Sequence, residues 1–318
     1  MSKDSPLITA LAHMSFSYIK KMIFIKFKHL IPLYLMVSNI ILVDSSYTSF
    51  YRFFATLRWF SFSNKEIYSK YKDDPSYDWS MEPTFIDKYK KMYLDSIKNI
   101  VSPKVFNSSI VIFCLDSPQS TLWRHEFSTC YKGNRVDMSE KYNIRPTFNL
   151  TYNELIPNLV KENSNIHMIK QPRMEADDII ALGVRYIKNK KPNYNVYLVS
   201  GDNDFLQLGY NNLYFADYKK KELFQLSKEE SKEALKQKII NGDCSDNIPS
   251  IFIKEDKISN KRRKLVREDN NELMVYLKEY KEAYSIYRNN KQLIDFKNIP
   301  KDLRPPVYKI IKNIILNK

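Results

Sequence analysis

Four short apolar runs alternate with amphipathic stretches in the first two thirds of the chain. Each run is almost continuously apolar, as expected for strands buried on both faces of a parallel sheet. The runs predicted as strands are NIILVDSS (39–46), SIVIFCLDS (109–117), IHMIK (166–170) and NVYLVSGD (195–202). Apolar residues recur at helical spacing between them, in the segments 80–101 and 175–189. The pattern predicts an α/β fold, with a central, mainly parallel sheet and helices on both faces.

The pattern changes after residue 211. The segment NLYFADYKKKELFQL (212–226) predicts a hairpin that adds an antiparallel edge to the sheet. From about residue 227 the chain is helical and highly charged, and no strand-like run occurs after residue 253. We therefore predict an α/β domain at 38–240 and a helical C-terminal region at 241–318, after an N-terminal extension at 1–37.

The extension is apolar but carries several cations, among them Lys20, Lys21, Lys26 and Lys28. No uncharged run reaches the ~18 residues of a membrane span. No small-residue cleavage site follows the apolar part, so a signal peptide is not predicted either. Three interpretations stay open: an added helix, a basic arm, or upstream sequence translated ahead of a start at Met36.

The charge balance points to a polyanionic partner. The 318 residues carry a net charge of +15, the pI is about 9.4, and 43% of the residues are hydrophobic, enough for a substantial core. Such an excess of cations attracts nucleic acid, although the same charge can serve solubility alone.

The cysteines and histidines exclude one class of metal site. Cys114, Cys130 and Cys244 have no C-x-x-C spacing, and the chain has only four histidines. This usage indicates a reducing compartment and argues against zinc, so any metal is expected to have oxygen ligands. We predict a cytoplasmic protein that is neither secreted nor bound to a membrane.

Acidic residues are placed where strands end. Three of the four predicted strands finish in aspartate, at Asp44, Asp116 and Asp202. In open α/β sheets, ligands bind at the carboxyl ends of the strands, so these side chains should share one edge. Each aspartate alone is better explained as a helix cap than as a metal ligand, but three on one edge favour a shared site.

More acids follow in three short motifs. MEADDII begins a helix at the same edge, where acids can also complement the helix dipole. VSGDNDFLQL and NGDCSDNIP contribute the others, each with a glycine, Gly201 or Gly242, expected to let the backbone turn tightly. The acids that these motifs add are Glu175, Asp177, Asp178, Asp204, Asp243 and Asp246.

Nine carboxylates in one cleft would raise each other's pKa unless cations neutralised them. Oxygen ligands without histidine or cysteine favour Mg²⁺, with Mn²⁺ as a substitute. The number of acids suits two ions better than one, and two such ions about 3.5–4 Å apart are the common device for phosphodiester hydrolysis.

A basic and aromatic segment follows Asp116. LWRHEFSTCYKGNR supplies Arg124, Lys132 and Arg135, with Trp123 and Tyr131 between them. Cations neutralise phosphates and aromatic rings stack on unpaired bases, which predicts contact with nucleic acid. The alternative is a solvated helix face whose long stems cover apolar surface.

These segments together resemble the 5′→3′ nuclease superfamily of flap endonucleases and polymerase-associated 5′ exonucleases, and within it the ribonucleases H of tailed bacteriophages. The resemblance covers about residues 39–300. It rests on the ordered blocks ILVDSSY, IVIFCLDS, LWRHEFSTCYKGNR, MEADDIIAL, VSGDNDFLQL, NGDCSDNIPSI and YRNNKQLIDFKNIP.

The resemblance implies a PIN-like fold and roles for these residues. The segment 120–160 would form a helical arch around a 5′ single strand, and Tyr131 would stack near the unpaired nucleotide. Lys132 and Arg135 would polarise the scissile phosphate, together with the catalytic acids Asp44, Asp116 and Asp204. Asp204, Asp243 and Asp246 would hold the second ion. The first ion would lie among Asp44, Asp116, Glu175, Asp177, Asp178 and Asp202.

One segment departs from the cellular members of the superfamily. They have a glycine-rich helix–hairpin–helix after the last acids, with a monovalent cation, whereas no glycine follows Gly242 here. The equivalent stretch, 254–267, has seven basic and two acidic residues. We expect it to bind duplex through side-chain cations, namely Lys254, Lys257, Lys261, Arg262, Arg263 and Lys264.

The sequence thus predicts a viral, Mg²⁺-dependent 5′→3′ exonuclease and flap endonuclease that removes RNA primers and 5′ flaps in DNA replication. Its substrates would be DNA and RNA–DNA hybrids with 5′ single-stranded flaps. Its partners would be a single-stranded-DNA-binding protein or a sliding clamp, and it would be a monomer. The alternatives are a PIN-like RNA endonuclease, an inactive nucleic-acid-binding protein and, less closely, a magnesium-dependent phosphatase.

Overall fold

The computed structural model describes residues 39–134, 141–218, 220–253 and 258–316. A six-stranded sheet with the order β3-β2-β1-β4-β5-β6 forms its centre. Neighbouring strands from β3 to β5 are parallel, and β6 is antiparallel to β5, which confirms the predicted sheet and hairpin. The strands are β1 (Asn39–Asp44), β2 (Ser109–Leu115), β3 (Ile166–Lys170), β4 (Asn195–Val199), β5 (Leu213–Asp217) and β6 (Glu222–Phe224).

Helices surround the sheet and make up the C-terminal region. None of those in the described ranges has the length and apolar character needed to cross a membrane. They are α1 (Ser45–Ser63), α2 (Lys65–Tyr71), α3 (Pro83–Val101), α4 (Pro103–Ser108), α5 (Arg145–Leu150), α6 (Ile156–Glu162), α7 (Ala176–Lys190), α8 (Lys228–Asn241), α9 (Asn260–Glu268), α10 (Asn270–Glu279), α11 (Lys281–Ile294) and α12 (Arg304–Leu316).

The side chains of the strands are buried on both faces of the sheet. In β1, Ile40 and Leu42 belong to the core beneath α7 and α12, whereas Ile41 and Val43 belong to the core beneath α1 and α3. Because successive residues of a strand point to opposite faces, a sheet covered on both sides needs apolar residues at every position. This explains the continuous runs.

The C-terminal helices pack in two places. α9, α10 and α11 share a small core of their own that includes Val266, Leu273 and Tyr276. α12 returns to the sheet, where Val307 and Ile311 join the core beneath α7. The described chain from Asn39 onward is one compact unit. The division at residues 240 and 241 stays a prediction, and the extension 1–37 lies outside the described residues.

Candidate metal centre

The first acids are fixed where β1 and β2 end. Asp44 is the N-cap of α1: its carboxylate accepts the Tyr47 N–H at 3.0 Å and the Ser200 hydroxyl at 2.9 Å. Asp116 follows β2 and accepts the Ala176 N–H, the first of α7, at 2.6 Å, as well as the Ser46 hydroxyl. Local capping therefore places both carboxylates at the carboxyl edge of the sheet.

Two further carboxylates, those of Asp177 and Asp202, lie close to that of Asp44. Burial, followed by the charges of Asp116 and Asp202, raises the pKa of Asp44 to about 7. Burial, and then Asp44 and Asp202, raise the pKa of Asp177 well above its usual range. Asp44, Asp116, Asp177 and Asp202 are called the first acid group below. Within the described chain, no ion pair joins them to a lysine or arginine.

Glu175 and Asp178, at the start of α7, have a different environment. The buried guanidinium of Arg124 donates to both oxygens of Asp178, at 2.8 and 3.0 Å, and to Glu175 at 2.6 Å. The Trp123 indole N–H also donates to Asp178, at 2.9 Å. Asp178 and Glu175 complete a capping box at the start of α7. These two carboxylates are already neutralised by the protein.

Lys132 and Tyr131 connect this cluster to the rest of the site. The Lys132 ammonium pairs with Glu175. Burial alone would raise the pKa of Glu175, but Arg124 and Lys132 outweigh it and hold that pKa at about 2. The buried Tyr131 hydroxyl lies 3.0 Å from both Glu175 Oε2 and Asp246 Oδ2, so it can donate to either.

The second acid group consists of Asp204, Asp243 and Asp246. Each offers a carboxylate oxygen, and these three atoms lie within 4.8 Å of one another. Lys238, near the end of α8, pairs with Asp204 and, at 2.6 Å, with Asp243. Burial, and then Asp202, still raise the pKa of Asp204 to about 7. This group therefore has a protein cation among its carboxylates.

The two glycines beside these motifs act differently. Gly242 ends α8 with a φ of 68°, as predicted, and a Cβ there would overlap the carbonyl oxygens of Ile248 and Pro249. For Gly201 the expected tight turn stays a prediction, and Gly242 is the only described glycine with a positive φ. The Tyr47 ring lies against Gly201, where a Cβ would overlap its hydroxyl. Close approach therefore selects glycine at 201.

All nine predicted acids lie at one edge of the sheet. Some of them are paired with protein cations, and the others are not. Arg124 and Tyr131, predicted to contact nucleic acid, are 3% and 4% exposed and bind carboxylates instead. Three predicted site residues, Arg135, Lys254 and Lys257, lie outside the described residues.

The remaining predicted cations lie on α9. Lys261 and Lys264 are exposed. Arg262 pairs with Glu279 of α10. The Arg263 guanidinium lies 5.6 Å from the centre of the Phe252 ring. Their binding of duplex stays a prediction.

Sequence reasoning missed three groups that complete the site: Lys238, Ser46 and Ser200. Lys238 had a weak signal, since it lies in the turn of α8 just before Gly242. The two serines lie within two residues of a strand end, where their short hydroxyl side chains donate to the acid of a neighbouring strand.

The first acid group fits a divalent cation. Close carboxylates that raise the pKa of Asp44 and Asp177, and that form no ion pair with a lysine or arginine, are unfavourable unless a metal neutralises them. An all-oxygen donor set matches hard cations such as Mg²⁺ and Mn²⁺. The second group also fits, provided that the ion displaces or shares the Lys238 ammonium.

The fold and this edge define the class of protein. Residues 39–238 of the chain, which include the parallel sheet and most of the acids at its carboxyl edge, match the family described as 5′-3′ exonuclease, N-terminal resolvase-like domain. This is more than half of the chain. The chain therefore belongs to the 5′-3′ exonuclease family, which confirms the predicted resemblance and places the protein among the nucleases.

Individual relatives agree. The chain is 25% identical to the ribonuclease H of Enterobacteria phage T4 over 228 residues, 67% of this chain and 73% of the relative. It resembles the phage T5 5′-exonuclease with bound zinc ions, with a TM-score of 0.58 and 18% identity over 87% of this chain and 99% of that chain. For the phage T5 flap endonuclease in a complex with DNA and metal ions, the TM-score is 0.55 at 18% identity, over 87% and 98%. These solved structures show the shared fold.

Proposed function

We propose that the protein is a Mg²⁺-dependent 5′→3′ exonuclease and flap endonuclease. Its substrates would be DNA and RNA–DNA duplexes, and its task the removal of RNA primers and 5′ flaps in DNA replication. The observation that carries this proposal is the first acid group, four carboxylates without a protein cation beside a second acid group. The names of the phage relatives, a ribonuclease H and a flap endonuclease bound to DNA and metal ions, support the substrate class.

Two ions would be held by the two acid groups, the first by Asp44, Asp116, Asp177 and Asp202 and the second by Asp204, Asp243 and Asp246. When bound, Mg²⁺ supplies an acidified water and neutralises charge on the phosphate, and Mn²⁺ can replace it. We assign Glu175 and Asp178 an outer role, because their oxygens are already bound by Arg124, Lys132 and Trp123.

The protein's own cations orient the substrate in this scheme. Lys132 has three N–H donors, and Glu175 holds it beside the acids, so it can donate to an oxygen of the scissile phosphate. The backbone N–H of Lys132 donates to Asp246 O at 2.9 Å, which holds the Lys132 backbone next to the second acid group. Arg135 would add a second cation. Arg124 and Tyr131 would act through the carboxylates that they order.

Duplex binding is proposed for α9. Lys261 and Lys264 are exposed there, whereas Arg262 is engaged by Glu279. The arch at 120–160, the domain division, the monomeric state, the cytoplasmic location and a single-stranded-DNA-binding or sliding-clamp partner belong to the same proposal.

The test is cleavage of 5′-labelled flap, nicked-duplex and RNA–DNA substrates, with Mg²⁺ and with EDTA. Asp44→Asn is compared with Asp269→Asn, because both aspartates are helix N-caps and asparagine caps equally well. We expect short 5′ products that require Mg²⁺, retained in Asp269→Asn and lost in Asp44→Asn.

Two outcomes would contradict the proposal. Duplex binding without cleavage would indicate a nucleic-acid-binding protein. Cleavage confined to single-stranded RNA would indicate a PIN-like RNA endonuclease.

A further inference from the structure

A pocket of about 210 Å³, lined by none of the nine acids, lies between α7, α8 and the short 3₁₀ turns Asn203–Leu208 and Phe296–Asn298. α8 connects it to the metal centre, since Lys228 at the start of the helix lines the pocket and Lys238 near its end binds the second acid group. Ten residues of helix separate these lysines by about 15 Å. The proposed nuclease chemistry makes no use of this pocket.

The wall of the pocket is cationic. It contains one carboxylate, that of Asp295, which accepts the Lys297 N–H at 2.9 Å. The lysines are exposed, and none forms an ion pair with a carboxylate of the described chain. The cations of the wall are Arg185, Lys188, Lys228, Lys232 and Lys297.

These charges converge rather than spread over the surface. Burial, and then the Lys228 ammonium, lower the pKa of Lys188. The Lys188 ammonium also lies 4.7 Å from the centre of the Tyr210 ring. The Arg185 guanidinium is held by the Phe296 carbonyl oxygen at 3.1 Å. Like charges gathered around one concavity create a positive potential that attracts an anionic ligand.

The floor of the pocket is apolar, with one exception. Val184, Leu208, Leu235 and Phe296 contribute carbon atoms. Ser231 lies among them, and its buried hydroxyl has no hydrogen-bond partner among the described residues. These carbon atoms offer contacts to an apolar side chain of a ligand.

We propose that this pocket binds an acidic peptide segment of a partner protein, with an apolar side chain on the floor and carboxylates against the lysines. A volume of about 210 Å³ is smaller than the roughly 300–1,000 Å³ of small-molecule sites, and so suits one anchoring side chain. A nucleic-acid backbone would gain from the cations but not from the recessed apolar floor. The inference is independent of the proposed nuclease function.

The test uses fluorescence anisotropy with the full chain and a labelled peptide in which pairs of aspartates alternate with single leucines. The variant Lys228→Glu with Lys232→Glu is compared with Lys309→Glu and Lys312→Glu, which makes the same charge change on exposed positions of α12. We expect salt-sensitive binding that weakens by about tenfold or more in the pocket variant and stays unchanged in the control. A peptide with serine in place of leucine should also bind weakly, because it lacks the apolar anchor.

A labelled DNA duplex is titrated in parallel. Loss of duplex binding in the pocket variant alone, without measurable peptide binding, would overturn the proposal and assign the pocket to the nucleic-acid backbone. Equal peptide binding by the pocket and control variants would overturn it as well. Because the readout is binding, neither result depends on whether the protein cleaves nucleic acid.

Discussion

Asp177 and Asp178 are neighbours in the first turn of α7, yet their surroundings are opposite. Asp178 receives both arms of the Arg124 guanidinium, the Trp123 indole N–H and the Glu175 backbone N–H. Asp177 faces the carboxylates of Asp44 and Asp202, and burial together with these charges raises its pKa well above the usual range. One of the two is neutralised by the protein, and the other is not.

Glu175 and Asp44 show the same contrast between a carboxylate that is paired with protein cations and one that is not. Arg124 and Lys132 hold the pKa of Glu175 at about 2 against the effect of burial, whereas burial and its neighbours raise the pKa of Asp44 to about 7. A carboxylate that the protein neutralises can order the site without any ion. A group of close carboxylates that forms no ion pair with a protein cation is best neutralised by an outside cation, so we propose the first acid group as the place of the first metal ion.

The largest expected effect comes from substituting the two neighbouring aspartates one at a time. Asp177→Asn should lower Mg²⁺-dependent turnover by more than about 100-fold, because even the loss of partners outside the ligand shell costs about 10–100-fold. The metal-free protein should keep or gain stability, since a repulsive charge is removed. Asp178→Asn should instead lower the free energy of unfolding by about 1–3 kcal/mol, through loss of buried charged hydrogen bonds.

Single-turnover cleavage and urea unfolding in EDTA measure the two effects. Equal losses of turnover and stability in both variants would remove the distinction between the neighbours.

Arg124→Met should destabilise the fold by about 3–5 kcal/mol, because it leaves Glu175 and Asp178 buried without their main cation. Arg173→Met is the control: Arg173 also contacts two carboxylates, of Glu126 and Asp302, but at the surface. Such exposed pairs contribute about 0–1 kcal/mol. Similar unfolding free energies for the two variants would show that the buried cluster has no special role.

The contrast should also appear in the pH dependence of the metal-free protein. The pKa of Asp44 is raised from 3.8 to about 7, so the folded state holds a proton that the unfolded state releases. The stability from this group is present below about pH 4 and is lost as pH rises through about 7. Glu175 behaves oppositely, since its pKa is lowered from 4.5 to about 2 and its contribution is lost only as pH falls from about 4.5 through about 2.

We therefore expect the unfolding free energy in EDTA to fall between about pH 4 and pH 7, and to fall less steeply in Asp44→Asn. Identical slopes for the wild type and the variant would contradict the assigned protonation of Asp44.

The smallest expected effect concerns the second acid group, whose carboxylates already have a cation. Lys238→Met should raise the affinity for a second Mn²⁺ by about tenfold, because the ion no longer competes with an ammonium bound to Asp204 and Asp243. Lys236→Met is the control, since Lys236 is on the same helix and pairs with Glu233. Calorimetric Mn²⁺ titration without nucleic acid measures the change, and equal affinities in the two variants would contradict it.

Much of the fold follows from the sequence, because its signals are local. The strand with Ile40, Ile41, Leu42 and Val43 is apolar at every position, and this requires burial on both faces whatever the rest of the chain does. The position of the acids follows for the same reason, since strand ends in a parallel sheet share one edge.

Which acids are paired with protein cations could not be predicted from the sequence, because the pairing depends on contacts between distant parts of the chain. From the sequence, Arg124 is expected to be an exposed cation. In the structure it is buried against Asp178, 54 residues away in sequence. Tyr131 meets Asp246 across 115 residues. Lys238 lies in an ordinary charged helix, and only the folded chain places its ammonium between Asp204 and Asp243.

The most direct test of the central claim is the anomalous density of Mn²⁺ in crystals of the protein. We expect a Mn²⁺ peak within ligand distance of Asp44, Asp116, Asp177 and Asp202, and none against the Asp178 carboxylate. A peak bound by Asp178 in place of Arg124, or the absence of any ion from the first acid group at saturating Mn²⁺, would contradict it.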